Sequence, residues 1–148
     1  MKIKINDISK EGLTIEEKQD AGALDLARDD LKFVTPVSIT AFLTRDKDEV
    51  YAHVTASGRI EAICGRCLAA YPIDFSKEFD FNYDIKGKTV LDLTEDIRQE
   101  IILEYPIKPL CRESCKGLCQ VCGKSLNDGD CGHKPDAQKW NEIKKSEN

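Results

Sequence analysis

The sequence lacks any apolar run of about 18 residues, so it predicts no transmembrane helix. Its opening stretch, MKIKINDISK, lacks the apolar core of a secretory signal, and the expected location is the cytoplasm. It has no HExxH and no HxE…PCxxC pattern, so neither zinc-hydrolase nor deaminase chemistry is expected. It has no nucleophile elbow and no glycine-rich phosphate loop. No repeat is visible beyond recurring cysteine pairs. An even cysteine count is missing too: seven thiols cannot all pair as disulfides, and in a reducing compartment clustered cysteines are metal ligands more often than cross-links.

What is present is a set of donors at zinc-ligand spacing. Cys64 and Cys67 form one CxxC, in the string CGRC, and the rest fall within CRESCKGLCQVCGKSLNDGDCGH, from Cys111 to His133. Seven cysteines and one histidine make two four-ligand sets, the number a structural zinc ion takes in a tetrahedron. In Cys119-Gln-Val-Cys122-Gly123, two intervening residues let both sulfurs reach one ion, and the glycine permits a tight turn. The spacing assigns Cys119, Cys122, Cys131 and His133 to one ion and Cys64, Cys67, Cys111 and Cys115 to the other. Two alternatives stay open: Cys115 can pair with Cys119 instead, and His133 can be a surface histidine. Two zinc ions are the expected cofactor.

The 148 residues suffice for one domain with a core and a small appendage, and 41% hydrophobic against 33% charged content describes a globular chain. Charge is uneven. Residues 1–105 hold 14 Lys+Arg and 21 Asp+Glu, whereas residues 106–148 hold 8 and 6. With seven thiolates and two zinc ions the formal −5 becomes −8. Such a chain suits a basic partner, or RNA contact confined to one patch. The candidate patch is Arg59, Arg66, Lys108, Arg112, Lys116 and Lys124. Each of these side chains has an equally ordinary reading as part of a solvated surface.

Period-2 alternation predicts strands at residues 2–5, at Val37–Leu43 and across Val50, Ala52, Val54 and Ala56. Arg45–Asp48 reads as a hairpin turn and Gly58 as a bulge or turn. A third strand follows from Ile60 to Cys64. The clearest alternation is Tyr71, Ile73, Phe75, Phe79, Phe81, Tyr83, broken at Lys77. Residues 11–33 read as loose strands or loops. Thr94 is the expected cap of a helix whose apolar face is Ile97, Ile101 and Tyr105, with Ile102 beside it. Pro106 and Pro109 end it. A short terminal helix is expected after Pro135, capped by Asp136, with Trp140 and Ile143 on one face. The predicted class is α+β: an antiparallel sheet or partly open barrel with one main helix, a zinc-bound C-terminal segment and a short terminal helix. The expected division is a β-rich body, residues 1–105, and a cysteine-rich segment, residues 106–148, packed as one compact domain.

Other cysteine chemistries fit less well. CGRC resembles a thioredoxin-type pair, but that pair needs a following helix to lower its thiol pKa, and here Pro72 and a strand pattern follow. Cys115, Cys119 and Cys122 spell the CxxxCxxC of radical-SAM enzymes, whose large barrel does not fit in this length. Other iron–sulfur clusters lack a supporting spacing. His53 lies on the polar face of a strand and is expected to be structural or solvated.

CxxC, then DIRQEIILEYPIKPLC, then CKGLCQVCGKSLN and a further cysteine, together resemble the YceD family of large ribosomal RNA subunit accumulation proteins. The resemblance covers most of residues 35–145 and is most specific from Glu95 to Cys131. It implies a bacterial cytoplasmic protein supporting 23S ribosomal RNA levels and large-subunit biogenesis, encoded near a small zinc-containing ribosomal protein, with no enzymatic activity. Precursor 23S rRNA and/or a large-subunit ribosomal protein would be the partner, with no membrane and no small-molecule substrate. Cys64, Cys67, Cys111 and Cys115 match the family's most widespread metal-type positions, and Cys119, Cys122 and Cys131 match a second group. Position 133 carries histidine where many members have cysteine. The alternative from a different class is a thiol-based redox or zinc-responsive regulator using the CGRC pair.

Overall fold

The computed structural model describes residues 1–133. The expected terminal helix, with Asp136, Trp140 and Ile143, lies outside the described residues. The chain divides into two units, Met1–Ala62 with Tyr71–Ile107, and Ile63–Ala70 with the chain from Lys108.

The first unit is built on antiparallel strands. In order along the chain these are β1 (Lys2–Lys4), β2 (Leu13–Gln19), β3 (Leu31–Phe33), β4 (Val37–Asp46), β5 (Glu49–Ile63), β6 (Ala70–Asp84) and β7 (Val90–Asp92), followed by helix α1 (Thr94–Leu103). The main sheet runs β2-β4-β5-β3, with β6 also on β5, and β1 pairs with β7 separately. It is an antiparallel sheet with one helix and, among the described residues, no closed barrel. No helix among these residues is long and apolar enough to cross a membrane.

β4 and β5 form because their apolar residues recur every second position, which the pleat sends to one face. Val37, Ile39, Ala41 and Leu43 are buried from β4, and Val50, Ala52, Val54, Ala56 and Ile60 from β5. The register couples the two rows directly, Leu43 opposite Ala52 and Ala41 opposite Val54. The turn between them is two residues long, with Lys47 in the left-handed region at φ 53°.

Gly58 is neither bulge nor turn. β5 continues unbroken through it, and the alternation keeps its phase from Ala56 to Ile60. The third strand expected from Ile60 is therefore the end of β5. What changes at Gly58 is the partner: β4 pairs with β5 through Ser57, and β3 pairs from Ile60 to Ala62.

β6 is also unbroken. Lys77 keeps its place in the apolar row but is solvated, with its ammonium 2.6 Å from Glu104. Residues 13–19 form a regular strand rather than a loose one, with a seven-residue ladder to β4. Its inward positions include Glu17 and Gln19, because half-exposed β2 has little core to fill.

Helix α1 buries Ile97 and Ile101 as expected, but it ends at Leu103, so Tyr105, which is also buried, follows the helix instead of lying on its face. Thr94 does not cap it: it is the first helical residue, and its N–H and hydroxyl both donate to Asp92 Oδ1, at 3.0 and 2.6 Å. A carboxylate two residues upstream offers a stronger acceptor than the hydroxyl. The Tyr105 hydroxyl donates to the Leu26 carbonyl at 2.8 Å, and burial pushes its pKa up to about 12.

Candidate metal centre

The second unit contains all eight predicted ligands. It begins where β5 ends, in a four-residue turn from Cys64 to Cys67. The Cys64 N–H donates to the Ala69 carbonyl and the Leu68 N–H to the Cys64 carbonyl, both at 2.9 Å. The second CxxC repeats this pattern. The Cys119 N–H donates to the Lys124 carbonyl at 2.8 Å, and the Gly123 N–H to the Cys119 carbonyl at 2.9 Å. The two knuckles thus share one backbone register. Gly123 takes the left-handed position at φ 70°, where glycine has no Cβ penalty. The equivalent position in the first knuckle is Leu68, at φ 58° and 65% exposed.

Residues 108–117 are tied to the first knuckle. The Gly65 N–H donates to the Pro109 carbonyl at 2.8 Å. Arg66 Nη1 donates to the carbonyls of Glu113 at 3.2 Å and Cys115 at 3.0 Å. Gly117, at φ 77°, passes so close to Arg66 that a Cβ would sit 3.1 Å from its carbonyl oxygen. These contacts bring Cys111 and Cys115 onto Cys64 and Cys67.

The result is two groups of four donors, Cys64, Cys67, Cys111, Cys115 and Cys119, Cys122, Cys131, His133. In each, all ligating atoms lie within 4.8 Å of one another. Cys64 Sγ lies 3.8 Å from Cys115 Sγ, and Cys67 Sγ 3.7 Å from Cys111 Sγ. A tetrahedral ion with Zn–S bonds of about 2.3 Å places its sulfurs about 3.8 Å apart, whereas a disulfide brings them to about 2.05 Å. The donors therefore fit a zinc ion, and all seven thiols are free. Both groups can hold a metal ion. Four donors leave a tetrahedral ion no open position for substrate, which is the structural rather than the catalytic arrangement.

The groups differ in burial. Three donors of the first are buried, against Cys119 alone in the second, where Cys122 and His133 are exposed. Electrostatics prepare some sulfurs to ionise. The N–H groups of Cys111, then Cys67, bring the Cys64 thiol down to about 6. Those of Cys122 and Val121 do the same for Cys119, the Val121 N–H lying 3.4 Å from its sulfur. The Asn127 amide lowers Cys115, donating to its sulfur at 3.3 Å. The remaining thiols go the other way. Burial first, then its sulfur neighbours, pushes Cys111 up to about 12. The Ala69 N–H favours the Cys67 thiolate, but burial and the Cys64 and Cys115 thiols outweigh it. The His133 N–H does the same for Cys131, against the Cys119 sulfur and burial. Crowded thiols cannot all carry charge unless a cation sits among them.

Sequence reasoning missed Asn127, which donates to Cys115 Sγ and accepts the Lys116 N–H at 2.9 Å. An asparagine in a cysteine-rich loop reads as an ordinary turn residue, so no spacing exposes the contact. Of the six predicted basic residues, Arg59 lies in the first unit, where its Nε is 2.9 Å from Asp74. The other five lie in the second unit. Arg66 is spent on carbonyls, while Lys108, Arg112, Lys116 and Lys124 are exposed with no carboxylate within 4.0 Å among the described residues. His53 is exposed, with Nδ1 2.7 Å from Asp80 Oδ1.

Two closed thiol-rich donor sets following an antiparallel sheet define a protein with metal-binding capacity and a mainly β body. Comparison with known proteins narrows this. Residues 82–145 match the family model described as Large ribosomal RNA subunit accumulation protein YceD. The chain is 30% identical over 112 residues to an uncharacterized protein of Mycobacterium leprae, covering 65% of this chain and 52% of that protein. It is 34% identical over 59 residues to the Large ribosomal RNA subunit accumulation protein YCED homolog 1, chloroplastic, of Arabidopsis thaliana, covering 40% of this chain and 17% of that one. It is 26% identical over 135 residues to the uncharacterized protein YlbN of Bacillus subtilis, covering 82% and 78%. These likenesses support membership of the YceD family. It spans about half the length of the M. leprae relative and less of the A. thaliana one. No solved structure matches it.

Proposed function

We propose that this chain is a non-enzymatic, zinc-stabilised factor of the cytoplasm that supports accumulation of large-subunit ribosomal RNA. It binds precursor 23S rRNA and/or a large-subunit ribosomal protein. The observation that carries the reading is the pair of four-donor groups, the first with sulfur separations of 3.7 and 3.8 Å, in a chain whose residues 82–145 match the YceD family model. Zinc on all eight ligands would hold the 63–70 turn and the chain from Lys108 in one shape. Lys108, Arg112, Lys116 and Lys124 then stand free on that shape, available to phosphates or to acidic side chains.

The redox reading of Cys64 and Cys67 is disfavoured by local structure. A thioredoxin-type pair draws its low thiol pKa from a helix N-terminus. Here the turn after Cys67 leads into β6, and the low Cys64 pKa comes instead from the N–H groups of Cys111 and Cys67 within the four-donor group.

The test is complementation. Cells lacking the protein are expected to show a lowered ratio of large- to small-subunit rRNA, restored by the wild-type chain. A variant with Arg112, Lys116 and Lys124 changed to Gln should fold, bind two zinc ions and restore the ratio poorly. Full restoration would remove the basic residues from the reading. Rapid alkylation of Cys64 or Cys67 in the zinc-loaded protein would instead favour the redox regulator.

A further inference from the structure

The first unit is strongly acidic, with 13 Lys+Arg against 21 Asp+Glu. Its arginines are accordingly paired: Arg28 with Asp30 at 2.7 Å, Arg59 with Asp74 at 2.9 Å, Arg98 with Asp25 at 3.0 Å. Arg45 is the exception. Among the described residues no carboxylate lies within 4.0 Å of it. Its Nε donates to the Lys47 carbonyl at 3.2 Å and its Nη1 to the Ile5 carbonyl at 3.4 Å. Neutral partners fix the guanidinium without cancelling its charge, and they leave Nη2 free.

The strand pleat explains why the acids nearby do not reach it. Arg45 continues the inward row Val37, Ile39, Ala41, Leu43, while Asp46 continues the outward row with Phe42 and Thr44. Across the ladder Arg45 faces Val50, and Asp46 faces Glu49. Both carboxylates therefore go to the opposite face. On the inward side Arg45 opens into a cavity of about 330 Å³ lined by Ile8, Ser9, Lys10, Arg45 and Lys47. Lys10 and Lys47 also have no carboxylate within 4.0 Å among the described residues. Three cations therefore share one cavity, in a unit where acids outnumber bases. Gathering like charges costs free energy unless an anion joins them.

We propose that this cavity binds a phosphodiester group of RNA, with Arg45 offering its planar fork and Lys10 and Lys47 acting as point charges beside it. The proposal deepens the ribosomal-RNA reading above and rests on it. Three cations exceed what a single carboxylate needs, and they suit a backbone whose successive phosphates each carry charge. The contact is sequence-independent, and the surrounding acidic surface limits it to one or two phosphates.

The experiment is an NMR titration of the isotope-labelled, zinc-loaded chain with inorganic phosphate, a ten-nucleotide RNA and a glutamate-rich peptide. Saturable shifts at the amides of Ser9, Lys10, Arg45 and Lys47 are expected with phosphate and RNA. Lys10 and Lys47 are exposed, so the double variant K10Q/K47Q should fold. It should lose about 1.4 from the slope of log affinity against log salt for single-stranded RNA, about sevenfold less change over a fourfold salt range. No local shifts, or an unchanged RNA affinity and slope in K10Q/K47Q, would overturn the proposal. Retained RNA binding that falls only when Arg112, Lys116 and Lys124 are changed would overturn it while leaving the proposed function standing. Phosphate binding without RNA binding would assign the cavity to free phosphate, and stronger shifts with the peptide would assign it to an acidic protein segment.

Discussion

Replacing Cys115 by Ser removes one donor from the more buried cluster. The sulfur–sulfur separations of 3.8 and 3.7 Å correspond to metal–sulfur distances of about 2.3 Å, the ordinary zinc–thiolate bond. X-ray absorption of the wild-type protein is therefore expected to give two zinc ions per chain, one Zn–S shell near that distance, and seven sulfurs for each imidazole nitrogen. Structural zinc contributes about 10–16 kcal/mol in finger peptides, comparable to the roughly 5–15 kcal/mol that stabilises a whole domain. C115S should accordingly retain a single zinc ion and lose the structure around residues 63–70 and 108–117. C122S removes an exposed donor and should lose only the other ion. A dye-monitored chelator titration should release metal in two phases, with the exposed Cys122–His133 site emptying first. Acid should release both, because the ligands bind as thiolates. A single zinc ion in the wild type, oxygen ligands in the absorption spectrum, or C115S that stays folded in excess chelator would refute the reasoning.

Three further outcomes follow from local geometry. Tyr105→Phe deletes a buried hydroxyl and leaves the Leu26 carbonyl unpaired, so urea unfolding should show a loss of about 1–2 kcal/mol. Gly117→Ala and Gly123→Ala both force a side chain into the left-handed region, at roughly 1–2 kcal/mol each. Gly117→Ala also meets the Arg66 carbonyl at 3.1 Å, whereas Gly123 faces open space, so calorimetry should find Gly117→Ala the worse. The hydrogen bond to Asp80 raises the His53 pKa above its ordinary value of 6.5. The stability it contributes is fully present below the unfolded-state pKa and is lost as pH rises through the folded one. Asp80→Asn should lower the His53 midpoint in an NMR pH titration, and an unchanged midpoint would dismiss the contact.

Elements whose periodicity serves a buried face were legible from residues alone. Val37 to Leu43 and Val50 to Ala56 alternate because each inward position meets the core, and Ile97 and Ile101 recur at one helical turn for the same reason, while Tyr105 is buried just beyond the helix end. β2 was not legible, because its inward positions tolerate Glu17 and Gln19 once burial is partial. Gly58 misled because glycine marks turns more often than strand interiors. Its role in β5 depends on the change of pairing partner, a tertiary fact. Thr94 fell inside the helix, with Leu93 at the cap position and Asp92 accepting from the Thr94 N–H and hydroxyl, an offset of one residue that local sequence does not fix. The cysteine spacing named the donors and assigned them to two sets, with Cys115–Cys119 pairing left open, and the structure gathers the donors in those same two sets. Asn127, the reach of Arg66 to two carbonyls and the close approach at Gly117 depend on segments distant in sequence. Arg45 looked like one more turn residue until the pleat separated it from Asp46.

The first cluster draws its cysteines from positions 44 and 51 apart in the chain, 67 with 111 and 64 with 115. During vectorial synthesis it stays half-made while β6, β7 and α1 emerge, and it becomes complete only when residue 115 is available. Cys64 and Cys67 therefore wait as an unfinished pair through the time when the sheet is assembling. The second cluster needs only the stretch from Cys119 to His133, which a ribosome adds within a few seconds at about 5–20 residues per second. If both groups take zinc, metal supply would bear on the nascent chain late, when its β-rich unit is already synthesised. A cell short of zinc would accumulate copies halted at that stage, with both CxxC pairs open to oxidation.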